Sequence, residues 1–162
     1  MDKKDIFISF NNNDRKYVDE LVSILKWNGI SCWYQINDSR QEYMKAIAEG
    51  MKNSENFVVI VSKNSAKSHN VELEVQYATA INNKNKSFNI LPVIIDDTDM
   101  INDTEALGML LNSYNILYSR EYKSTNELVL KIIDQLRIVK KNFNRDSINS
   151  LKNVFSFSTA NI

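Results

Sequence analysis

Cysteine and histidine each occur once in the 162 residues, as Cys32 and His69. One cysteine excludes a disulfide within the chain, and one of each excludes a thiolate cluster or a Cys/His zinc site. A Ser-His-Asp triad would have to use His69, which stands in a polar, serine-rich stretch and reads as an exposed loop residue. Cys32 lies in an apolar run and reads as a small buried hydrophobe. Net charge is absent as well, because 20 basic residues balance 20 acidic ones. That balance argues against a nucleic acid or a membrane surface as a partner held by bulk electrostatics. No apolar run is long enough to cross a bilayer. The charged opening, Asp2 to Asp5, precedes only a short apolar stretch, so no signal peptide is expected and the chain reads as cytoplasmic. Proline (one) and glycine (three) are scarce, and asparagine takes over much of the turn work. There is no internal repeat.

What is present is enough apolar material, 43% of the chain, for one domain of ordinary size. Strand and helix signals alternate along it. Ile6 to Phe10 is a short strand-type run, followed by a polar turn, Asn11 to Asp14, able to cap a helix. Tyr17, Val18, Leu21, Val22 and Leu25 recur at helical spacing, and Gly29 closes that helix. A second strand is expected over 30–34, a polar loop over 35–40, and a second helix marked by Tyr43, Met44, Ile47 and Met51. Residues 57–61 are apolar at every position, as in a central parallel strand covered on both faces. A serine-rich loop over 62–70 leads to a third helix on Val71, Val75, Ala78 and Ile81. A fourth strand is expected over 88–95, and Pro92 inside it suggests a place near an edge. An acidic loop over 96–103, a short helix over 105–111 and a fifth strand over 114–118 follow. Ser124 and Glu127 form a capping-box pattern before a last helix carrying Leu128, Ile132, Ile133, Leu136 and Val139.

Five strands alternating with helices predict an α/β fold: a three-layer sandwich whose central parallel sheet has flavodoxin-like order. Ligands then bind beyond the carboxyl ends of the strands, which directs attention to 10–14, 35–40, 62–70 and 96–103. The pattern breaks after residue 141. The expected domain is 1–141, with 142–162 as a tail or linker in which Ile148, Leu151, Val154 and Phe155 suit one more short helix.

Particular stretches resemble TIR domains. Asp5-Ile6-Phe7-Ile8-Ser9-Phe10 is similar to their opening strand, D-[VI]-F-[IL]-S-[YFH], and Asp14-Arg15 to the entry into their first helix. Gly29 to Tyr34 resembles their second strand and 47–54 their second helix. Residues 57–62 with Ser65 and Ser68, then 71–78, follow the pattern of strand, S-x-x-[SY]-x-x-S and [VC]-x-x-E-x-x-x-A. Two positions differ from the common pattern: 35–41 hold neither glycine nor proline, and Asn70 stands where many members carry tryptophan. The resemblance implies an enzyme that cleaves the nicotinamide–ribose bond of NAD⁺, with NAD⁺ as substrate and neither metal nor resident cofactor. It also implies assembly with other TIR domains and a role in immune signalling, including defence against phage, or as an effector. The alternative within the family is a non-enzymatic adaptor acting through homotypic contacts. A phosphorylated receiver domain would need an aspartate where the third strand ends in Val61-Ser62.

The match puts Glu74 at the position of the catalytic glutamate. Helix geometry separates it from its neighbour Glu72. At about 100° per residue, Glu74 falls inside the apolar arc of Val71, Val75, Ala78 and Ile81, whereas Glu72 lies roughly 160° away beside Gln76 and Thr79. The remaining candidates keep two readings each. Phe10 and Trp33 suit either base-stacking surfaces or core packing. Asn11, Asn12 and Arg15 suit pyrophosphate or ribose binding, or solvated turn positions. Ser62, Ser65 and Ser68 suit the mouth of a site or helix capping.

Overall fold

The computed structural model describes residues 2–34 and 40–139. Of the expected polar loop over 35–40, residues 35–39 fall outside them, as does the expected tail, and position 40 begins a helix. Strands β1 (Lys4–Ser9), β2 (Cys32–Trp33), β3 (Ser54–Val61), β4 (Asn89–Ile94) and β5 (Leu117–Tyr118) alternate with helices α1 (Arg15–Trp27), α2 (Arg40–Lys52), α3 (His69–Lys84), α4 (Ala106–Leu111) and α5 (Thr125–Gln135). The five strands form one parallel sheet in the order β2-β1-β3-β4-β5, the doubly wound arrangement expected.

Strand side chains alternate between faces, and both faces are covered. Ile6, Ile8, Val58, Ile60, Leu91 and Val93 pack under α1 and α5 with Val18, Leu21, Leu25, Leu128 and Ile132. Phe7, Phe57, Val59, Val61, Ile90 and Ile94 pack under α2, α3 and α4 with Ile47, Met51, Val71, Val75 and Leu107. This is why β3 is apolar from Phe57 to Val61.

Pro92 is not on an edge strand: β4 lies between β3 and β5. Successive backbone N–H groups alternate sides, and the Ile95 N–H donates to the Val61 carbonyl on β3. Position 92 therefore faces β5, whose pairing starts only at Val93↔Leu117. The missing N–H falls where the ladder has not begun. The fifth strand is shorter than 114–118, because the Tyr114 N–H is still tied to the Leu111 carbonyl and its hydroxyl to Asn82.

Two helices end in the same motif with different residues. After α1, Gly29 has φ 76, its N–H donates to Lys26 and the Ile30 N–H to Leu25, a Schellman cap. After α5, which stops short of Val139, the Arg137 N–H donates to Asp134 and that of Ile138 to Ile133. Arg137 there has φ 54, which opposes its Cβ. We expect Gly29→Ala to cost about 1 kcal/mol and Arg137→Gly to gain up to about 1 kcal/mol. Thermal unfolding of the two variants should move in opposite directions.

Candidate active site

At the carboxyl ends of β1 and β2, between α1, α2 and α3, lies a cavity of about 160 Å³. Glu74 reaches it from the second turn of α3. Its helix starts where Ser68 accepts a bond from the Val71 N–H at 3.3 Å, and the face bearing Val71, Val75 and Ala78 is buried against the sheet. Glu74 shares that face and is only 7% exposed. Glu72 is partly exposed and accepts from the Gln76 amide at 3.4 Å.

The Glu74 carboxylate is held from two other elements. Ser9, the last residue of β1, donates its hydroxyl to Oε2 at 2.5 Å. Tyr43, near the start of α2, donates its phenol to Oε1 at 2.5 Å. Burial pushes the Glu74 pKa above the ordinary glutamate value, and the bonds from Ser9 and Tyr43 pull the other way without cancelling it. Burial, together with the neighbouring carboxylate, raises the Tyr43 phenol well above its ordinary value. Neither Ser9 nor Tyr43 was singled out from sequence. The available signal was weak: a tyrosine leading the i, i+4 series Tyr43, Ile47, Met51 carries a hydroxyl that needs a partner when half-buried.

The other candidates divide. Phe10, Asn11, Asn12, Arg15, Trp33 and Ser68 all line the cavity with Glu74. Arg15 lies 5.2 Å from the centre of the Phe10 ring and donates through Nε to Asn12 at 2.9 Å. Asn11 also keeps its turn role, accepting from the Asn13 N–H at 2.9 Å. Trp33 both lines the cavity and packs: it stacks on Phe7 with centroids 4.6 Å apart.

Ser62 and Ser65 are not brought to the cavity. Both are buried. Ser62 donates to Asp14 at 2.5 Å and accepts from the Asn64 and Ser65 N–H groups. Ser65 accepts from the Ser62 N–H at 2.8 Å and donates back to its carbonyl. Their polar atoms close the turn after β3. Cys32 is half-buried, and burial pushes its thiol up to about 12, which leaves it no thiolate chemistry near neutrality.

A family model for the TIR domain matches residues 6–129. The chain belongs to the TIR domain family. Over 135 residues it is 28% identical to a Methanobrevibacter olleyae protein named "Probable 2' cyclic ADP-D-ribose synthase TcpO". That match takes in 82% of this chain and 38% of the relative, so the chain spans about two fifths of the relative's length. Among solved structures, the TIR domain of the Toll-related receptor TRR-2 from Hydra magnipapillata is similar, with a TM-score of 0.66 at 17% identity, covering 84% of this chain and 100% of that one. So is the RPS4 and RRS1 TIR domain heterodimer, with a TM-score of 0.61 at 19% identity and coverage of 83% and 96%. At such identities these structures speak to the fold. Among the described residues of this TIR domain, no helix is long and apolar enough to cross a membrane.

The seat of Trp33 has one further requirement. A Cβ at Gly50 on α2 would stand 2.5 Å from the indole Cε2 and 2.7 Å from Cδ2. For Gly50→Ala, the helix gains about 1 kcal/mol in propensity and overpacking costs about 1–3 kcal/mol. The net expectation is a loss of about 0–2 kcal/mol together with a displacement of the indole. In a Trp27→Phe background, which removes the exposed indole, Gly50→Ala should shift the Trp33 fluorescence. An unchanged spectrum would show that the stack on Phe7 tolerates a methyl there.

A carboxyl whose folded pKa is raised favours folding below its unfolded pKa, and that contribution is lost as pH rises through the folded value. Glu74→Gln removes the group that carries this loss. The variant should melt higher than the wild type at neutral pH, and the gap should close at pH values below the ordinary glutamate range.

Proposed function

We propose that this TIR domain is an NAD⁺ glycohydrolase that breaks the bond between nicotinamide and ribose. The observation that carries the reading is Glu74, a buried carboxylate facing a cavity at the carboxyl end of the sheet, with both oxygens held by neutral hydroxyl donors. When the C1′–N bond breaks, its electron pair leaves with the pyridinium nitrogen. Nicotinamide departs neutral, so its departure requires no proton. Positive charge develops on the ribose instead, as in glycoside cleavage. A fixed anion, itself buried from bulk water, stabilises that charge without reorganising. Each Glu74 oxygen uses one lone pair for Ser9 or Tyr43 and keeps another for a ribose hydroxyl.

The rest of the lining suits the substrate's other parts. Phe10 and Trp33 offer ring faces for a base. Arg15 brings positive charge, and Asn11 and Asn12 polar groups, for the diphosphate and ribose. Ser68, at the start of α3, completes the polar side of the mouth. Capture of the sugar by water, which then loses a proton, gives ADP-ribose. Capture within the molecule gives a cyclic product, and the name of the Methanobrevibacter olleyae relative supports that second outcome. Assembly with other TIR domains belongs to the same proposal.

Incubation with NAD⁺ and measurement of free nicotinamide tests the reading. Glu74→Ala and Glu74→Gln should lower release by about 10²–10³-fold with the fold retained, and Glu72→Ala should keep most of it. Equal loss in both positions would remove the facing argument. No release by the wild type at any protein concentration would leave the adaptor reading in its place. Chromatography of the second product separates the linear from the cyclic outcome.

A further inference from the structure

We propose that Tyr43 is a positioning residue for Glu74: its phenol, working against Ser9 from the opposite oxygen, keeps the carboxylate ionised and fixes its plane towards the cavity. The proposal deepens the nicotinamide-releasing reading and rests on it for its meaning in catalysis.

Three observations carry it. The two donors come from separate elements, β1 and α2, and each takes a different oxygen of the carboxylate at 2.5 Å. Two fixed points on the two oxygens hold the group against rotation about its last side-chain bond. Second, both partners are donors. A protonated Glu74 would turn one oxygen into a donor and oblige the hydroxyl facing it to turn and accept, giving up a bond to a charged acceptor, so the pair favours the ionised form. Third, Tyr43 keeps its own proton: burial and Glu74 both push the phenol up, so it remains a donor through the range in which a carboxyl titrates.

The surroundings supply little else that would do this. Arg15, at the start of α1, is the charged side chain across the same cavity, and it is engaged with Asn12 and the Phe10 ring. The residues of β1, β2 and α2 that line it with Tyr43 are apolar: Phe7, Ile8, Trp33 and Ile47. On α3 itself, Glu72 is bonded to Gln76 and His69 is exposed. Tyr43 also lines a larger apolar groove of about 390 Å³ between α2 and α3, which Glu74 borders too. The carboxylate itself is only 7% exposed, so the hydroxyl meets it where little water competes.

The test is Tyr43→Phe, which keeps the ring and removes the donor. A hydrogen bond to a charged group corresponds to about one to two pH units. The acid limb of kcat/KM for NAD⁺ should move up by about that much. At a pH on the limb this is a loss of roughly tenfold or more, recovered as pH rises. Ser9→Ala should shift the limb in the same direction. A profile that superimposes on the wild type, or falls by one factor at every pH, overturns the proposal. A second readout does not need turnover. In a chain labelled with carbon-13 at the glutamate carboxyl, with the Glu74 signal assigned by its absence in Glu74→Gln, Tyr43→Phe should raise the titration midpoint. An unchanged midpoint overturns the proposal even if NAD⁺ is cleaved, and a raised one supports it even if NAD⁺ is not. Should Tyr43→Phe fail to fold, fluorotyrosine in the intact sequence is the substitute. Its more acidic phenol donates more strongly, so the midpoint should fall, and no change overturns the proposal.

Discussion

Glu74 can be buried as it is only because two hydroxyls from distant parts of the chain meet it. Removing a carboxylate from water costs several kcal/mol even in a relaxed protein. Two hydrogen bonds to a charged acceptor, at about 1.5–3 kcal/mol each, offset most of that cost. The balance agrees with the direction of its pKa, which stays above the ordinary value because burial is the larger effect. Ser9 is fixed by β1 pairing with β3, where it sits opposite Val59. Tyr43 depends on how α2 rests against the sheet. The site is thus a statement about the relative positions of β1, α2 and α3.

What seats α2 is aromatic. Phe57 on β3 stacks on Phe7 of β1, with centroids 5.6 Å apart, and Phe7 stacks on Trp33 of β2. The indole then lies against α2 where Gly50 presents no side chain. One turn back from Gly50 the helix presents Ile47, and one turn further Tyr43, on the same side. The row of rings across three strands therefore sets the height at which α2 crosses, and the height brings the Tyr43 hydroxyl to Glu74. The dual character of Trp33, packed below and exposed to the cavity, follows from its place at the top of that row.

These facts explain what could be read from sequence. The orientation of Glu74 against Glu72 is a property of one helix, and 100° steps along α3 were enough to find it. The sheet order followed from alternating apolar runs for the same reason. The donors to Glu74 are separated from it by 65 and 31 positions, and no periodicity within a segment reports on such pairs. Ser62 and Ser65 misled because a serine that closes a turn and one that lines a mouth look alike in sequence. Only the partner, here Asp14, distinguishes them. Pro92 pointed near an edge, and β4 is indeed next to the edge strand β5, locally unpaired on that side at position 92.

The acidic residues around the carboxyl end of the sheet show why Glu74 stands apart chemically. Asp14 is buried, and it joins the turn after β1 to the turn after β3 through Ser62 and the Asn64 amide. Asp96 joins the turn after β3 to the chain after β4, accepting from the Lys63 N–H at 2.9 Å and from the Thr98 N–H and hydroxyl. Its modest burial pushes its pKa up, yet those donors more than reverse the effect and hold it below the usual aspartate value. Asp96 is thereby a fixed structural anion whose bonds tie the turn after β3 to the chain after β4. Glu74 has two donors where Asp96 has three, and much deeper burial, so it ends on the other side of its ordinary value. Fewer bonds in a drier place leave it with unused lone pairs and a stronger tendency to neutralise its charge. A cation developing beside it, as in the proposed cleavage, would relieve that tendency. The serines that resemble a mouth in sequence serve the turn after β3 instead, and the carboxylate left short of donors is the one that faces the cavity.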